Sequence, residues 1–132
     1  MKYLLDTNIL SDAMNNPGGS VAKRMTETND EDMFTSIIVA GELHFGVLNR
    51  GSKRLAQSLE KVLGKLDVVP FMPPAEKHYA AVRLTLERKG TKIGQNDTLI
   101  AAHAIALGAV VVTDNVKHFS QVPGLKIENW LR

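Results

Sequence analysis

With 132 residues, 44% of them hydrophobic and 23% charged, the chain has the size and composition of one globular domain (residues 1–132) with an ordinary core. The absence of cysteine excludes disulfides and thiolate metal sites, and no apolar run approaches the roughly 18 residues of a membrane span. The net charge of +2 is unevenly divided: residues 1–49 hold three Lys/Arg against seven Asp/Glu, residues 50–92 ten against four, and residues 93–132 three of each.

The N-terminus meets Asp6 after three hydrophobic residues, which is not a signal peptide, so the expected location is cytoplasmic. Tyr3-Leu4-Leu5 reads as a short buried strand that turns at Asp6 into a helix over 7–14. Asn15-Asn16-Pro17-Gly18-Gly19 breaks that helix, and Ser20 caps a second one over 20–27. A polar loop at 29–32 leads to a strand at 33–35, and Ser36 caps a helix that runs to about residue 49. Leu55, Leu59, Val62, Leu63 and Leu66 recur at helical spacing over 52–66. A strand at 67–71 ends at Met72-Pro73-Pro74, and a helix over 74–89 is closed by Gly90. A further helix over 96–107 is closed by Gly108, followed by the clearest strand, 109–113, and a short last one at 126–128. Strands alternating with helices predict an α/β fold with a parallel sheet covered on both faces.

In such sheets ligands bind at the carboxyl ends of the strands. Asp6 and Asp114 sit at two such ends, and they converge if their strands are neighbours. Two more acids stand on faces that read as apolar. Helical geometry sets Glu42 among Ile38, Val39, Phe45 and Gly46, and Asp97 beside Ile100, Ala101 and Ala104. A buried carboxylate must pair, protonate or bind a cation. Residues 25–49 and 93–116 contain no Lys or Arg, so local ion pairs are absent. Carboxylates without Cys or a His pair favour Mg²⁺ or Mn²⁺, which take oxygen ligands, over Zn²⁺. A metal bound there activates water for in-line displacement at phosphorus, and the basic middle of the chain suits a polyanion substrate. His44, His78, His103 and His118 show no ligand spacing, and His118 alone lies close to the Asp114 loop. Bland readings compete: Asp6 as a helix cap, Asp97 as a first-turn acid, Asp114 as a turn residue.

Residues 3–10 (YLLDTNIL), 36–47 (SIIVAGELHFGV), 94–104 (GQNDTLIAAHA) and 112–130, with Thr113-Asp114-Asn115 and His118-Phe119, occur in an order that resembles the PIN-domain ribonucleases, and within them the VapC-like toxins of bacterial toxin–antitoxin pairs. The resemblance implies an α/β/α sandwich with a short central parallel sheet, a homodimer, and a VapB-like antitoxin that occludes the site. It implies metal-dependent RNA hydrolysis, with tRNA a plausible substrate class. It carries metal binding to Asp6, Glu42 and Asp97, with Asn8 and Thr113 in support. Many relatives place a fourth acid where this chain has Asn115, with Asp114 one residue earlier, so the fourth position falls to one of these two. The rival readings are a flavodoxin-like phosphotransfer or phosphatase domain and a metal-binding partner module without catalysis. The first leaves Glu42 and Asp97 unexplained and lacks a second Asp at position 8.

Overall fold

The computed structural model describes all of residues 1–132. Its strands are β1 (Tyr3–Leu5), β2 (Met33–Ser36), β3 (Asp67–Val69), β4 (Val110–Val112) and β5 (Ile127–Glu128). They form one sheet in the order β3-β2-β1-β4-β5, every pairing parallel. Leu4, Leu5 and the three valines of β4 are buried. Such continuous apolar runs are what strands covered on both faces require.

The helices are α1 (Thr7–Asn15), α2 (Ser20–Glu27), α3 (Ile37–Arg50), α4 (Lys53–Leu63), α5 (Ala75–Lys89), α6 (Gln95–Leu107) and the one-turn α7 (Val116–Phe119). The chain moves outward from β1 to β2 and β3, then crosses back to β4 and β5 on the other side of β1. Right-handed crossovers therefore send α1–α4 to one face of the sheet and α5–α7 to the other. Packing follows that division: α1 lies against α2, α3 and α4, and α5 against α6. The strand order reverses between β1 and β4, which opens a crevice at their carboxyl ends.

Local signals set most boundaries. The Ser36 hydroxyl accepts from the Ile38 N–H at 3.0 Å and caps α3. Gly90 and Gly108 close α5 and α6 with φ of 70° and 64°, a region closed to most side chains. Differences lie at the ends of elements. The helix expected over 52–66 stops at Leu63, because Gly64 turns the chain and Leu66 is buried in the turn before β3. The strand expected over 67–71 is only Asp67–Val69. The polar loop expected at 29–32 holds a single 3-10 turn (Asp30–Asp32), and α7 adds a turn of helix that the sequence does not signal; both are too short to show periodicity.

Candidate active site

Asp6 leaves β1 at the crevice and caps α1, its Oδ1 accepting from the Thr7 N–H at 2.8 Å. It is 3% exposed. The neighbouring strand supplies the other bond: the Thr113 hydroxyl, just past β4, donates to Asp6 Oδ2 at 2.7 Å. Burial pushes the Asp6 carboxyl from its ordinary 3.8 up to about 6. The Thr113 and Thr7 hydrogen bonds hold it down in part, and the charges of Asp97 and Glu42 add to the rise. Acids from α3 and α6 thus act on Asp6 at the end of β1.

Glu42 is placed by α3. The core face of that helix is Val39, Ala40 and Leu43, while Phe45 is 70% exposed, so Glu42 stands at the border of the buried face and not in its middle. Its carboxylate accepts from the Thr7 hydroxyl through Oε1 and from Asn96 Nδ2 at 3.0 Å through Oε2. Asp97 lies in the first turn of α6, where Asn115 Nδ2 at 2.9 Å and His118 Nδ1 at 2.8 Å both reach its Oδ2. None of the three acids has a Lys or Arg within ion-pair distance.

The β1 and β4 strands are neighbours, but Asp114 does not meet Asp6 across them. Its carboxylate turns to the C-terminal segment, accepting from Asn129 Nδ2 at 3.0 Å and lying 3.4 Å from Arg132 Nε. Its N–H donates to Asn8 Oδ1 at 3.0 Å, so Asn8 fixes the loop and not a carboxylate. Asn115 faces the crevice instead. Its N–H donates to the Thr113 hydroxyl at 2.9 Å while its side-chain amide reaches Asp97. Thr113 therefore links Asp6 to the Asn115–Asp97 pair.

No three of the acids and histidines form a closed metal cage. Each carboxylate is held by hydroxyl, amide or imidazole groups. The donor set nevertheless fits a hard divalent cation: three carboxylates from three elements, amide and hydroxyl groups beside them, and no competing Lys or Arg. Thr7, Asn96 and His118 join the site although the sequence did not mark Thr7 or Asn96 and gave His118 only its proximity. The available signal was adjacency, since Thr7 follows Asp6 and Asn96 precedes Asp97.

Known proteins share the fold and the sequence. The PIN domain family matches residues 3–125. Ribonuclease VapC2 of Rickettsia felis is 40% identical over 133 residues, covering 98% of each chain. The tRNA(fMet)-specific endonuclease VapC of Salmonella typhimurium is 34% identical, again over 98% of each. Among solved structures, that of VapBC2 from Rickettsia felis bound to a DNA fragment from its promoter superposes with a TM-score of 0.89 at 37% identity, covering 98% of this chain and 99% of that one. VapBC from Salmonella typhimurium, also bound to DNA, gives 0.87 at 34% identity over 98% of each. A shared fold, full-length coverage and the carboxylates gathered at the β1/β4 crevice lead to one conclusion: the chain belongs to the PIN domain family and, within it, to the VapC ribonucleases.

Proposed function

We propose that Asp6, Glu42 and Asp97 are the metal-binding and catalytic acids of an endoribonuclease that hydrolyses RNA phosphodiester bonds with Mg²⁺ or Mn²⁺. The observation that carries this is Asp6: a carboxylate buried at a strand end, raised by burial and by two other acids, with no cation to compensate it. A divalent ion held by these oxygens supplies an activated water and neutralises charge that develops on the phosphoryl group. The chain's own residues prepare the site. Thr113 and the Thr7 N–H aim Asp6, Thr7 and Asn96 steady Glu42, and Asn115 and His118 steady Asp97. Asn115, facing Asp97, takes the fourth position in this reading, with Asp114 holding the C-terminal segment.

The relatives' descriptions suggest the biological setting: a tRNA substrate, as for the Salmonella typhimurium enzyme, and an antitoxin partner, as in the VapBC assemblies. A groove of about 610 Å³ between α1, α2 and α4 sets Met14, Met25, Met33 and Val62 beside Asp30, Lys61 and Lys65, a mixed lining that suits an amphipathic partner helix. On α3, Phe45 and Leu48 are 70% and 80% exposed, which suits burial against a second copy in a homodimer. The flavodoxin-like alternative has no support in the family match, while a non-catalytic module is separated by assay. The test is cleavage of RNA, tRNA included, by the purified chain with Mn²⁺. Cleavage should stop on EDTA treatment, in Asp6→Asn, and on addition of a VapB-like antitoxin encoded beside it. An Asp6→Asn protein that cuts at the wild-type rate overturns the assignment.

A further inference from the structure

A second concavity lies one helix face away from the acids. Its volume is about 230 Å³, and it opens between α5 and the first turn of α6. Leu86 and Ile93 close its base but are nearly fully buried, so the open lining is mostly polar. The walls carry flat, polar groups: the Tyr79 ring, the Arg83 guanidinium and the Gln95 amide. Arg83 is held in place at two points, its Nε donating to Glu87 Oε2 at 2.8 Å and its Nη1 to the Tyr79 hydroxyl at 3.2 Å. That leaves Nη2 free to donate. Lys92 stands on the rim without an ion-pair partner.

The first turn of α6 serves both places. Asn96 and Asp97 point to Glu42, Asn115 and His118, whereas Gly94, Gln95 and Thr98 line the cavity. A helix with its side chains is about 10 Å across, so the cavity lies within a nucleotide's reach of the acids. Planar groups for stacking, amide and guanidinium donors for a base edge and a cation at the rim together match an unstacked nucleotide of single-stranded RNA. A phosphate alone is a poorer fit, because Glu87 also lines the cavity.

Building on the ribonuclease reading, we propose that this cavity is a base-recognition subsite: it takes the base of the nucleotide beside the scissile phosphate, with Tyr79 and Arg83 as the planar platform and Gln95 reading the base edge. The cavity then sets sequence preference around the cut, while the acids set the chemistry.

The experiment uses the full chain with Mn²⁺ and a panel of short single-stranded RNA oligonucleotides that differ at one position on either side of the cut. Wild type is compared with Gln95→Ala and Tyr79→Leu. Both variants are expected to raise KM on the preferred oligonucleotide about ten-fold, as loss of a base contact does, to keep kcat within about two-fold, and to flatten the base preference at one position. Gln95 is exposed, so its variant stays informative if Tyr79→Leu fails to fold. A Gln95→Ala protein with wild-type KM and wild-type preference overturns the subsite. A fall in kcat alone, with preference intact, also overturns it, because Gln95 then acts only by placing Asp97. Wild-type protein that cuts no RNA overturns the ribonuclease reading itself, which separates that failure from failure of the subsite.

Discussion

An ionised carboxylate at 3% exposure is costly, and Asp6 carries that cost in its raised pKa of about 6. The rise from 3.8 to about 6 corresponds to about 3 kcal/mol of penalty in the metal-free protein at neutral pH. Asp6→Asn should remove cleavage and, at pH 7.5 without metal, raise the melting temperature slightly, since the amide loses the charge and keeps an acceptor for the Thr7 N–H but gives up the bond from the Thr113 hydroxyl. Calorimetry in EDTA checks this, and a lower melting temperature contradicts it. The neighbouring pair Asp114 and Asn115 divides in the same spirit. Asp114→Asn retains a partner for Asn129 and should leave cleavage within about three-fold of wild type. Asn115→Ala removes a direct hydrogen bond to Asp97 and should cost about ten-fold or more in kcat, because a charge-assisted bond contributes about 1.5–3 kcal/mol. Paired kinetic measurements decide which of the two is the fourth site residue, and a larger loss at Asp114 reverses the assignment.

Elements carry the acids, and one buried histidine ties two of those elements together. His103 of α6 is 1% exposed, and its Nδ1 lies 2.8 Å from the Ser36 hydroxyl, the group that caps α3. The helix of Asp97 is thereby pinned to the start of the helix of Glu42. His103→Phe keeps the contact with Phe71 but leaves the Ser36 hydroxyl with only its Ile38 N–H partner, and should lower stability by about 1–3 kcal/mol. The same change should reduce kcat more than it raises KM, as the two acids lose their common reference. A variant with wild-type stability refutes the link. Elements of this length were readable because periodicity and caps announce them: Ser36 before α3, Gly90 after α5, Gly108 after α6. The acids were readable for a related reason, as charge set where apolar residues recur. Their donors were not. Thr7 meets Glu42 across 35 positions and Asn96 meets it across 54, contacts made by chain topology and invisible to any local pattern. The exposure of Phe45 was hidden too, because a helical wheel does not say which apolar side meets the sheet and which is left for a partner.

At the level of the whole molecule, two buried groups pull pH stability in opposite senses. The Asp6 pKa is raised on folding, so its contribution is complete below 3.8 and is lost as pH rises through about 6. Burial lowers the His103 pKa below its ordinary 6.5, so its contribution is present above 6.5 and is lost as pH falls through the folded value. In the metal-free chain near neutral pH, ionised Asp6 is thus the unfavourable partner. A divalent cation requires those acids ionised and displaces the proton, so its stabilisation must grow with pH. At 100 times its dissociation constant, Mn²⁺ adds about 2.7 kcal/mol, worth about 8–15 °C in a chain of this size. The expected outcome is a shift of that order at pH 7.5, a much smaller one at pH 5, reversal by EDTA, and loss of most of the shift in Asp6→Asn. Melting curves at the two pH values, with and without the ion, measure it directly. Equal shifts at both pH values, or none at pH 7.5, mean that Asp6 does not hold the metal and that the acids of this crevice are compensated in some other way.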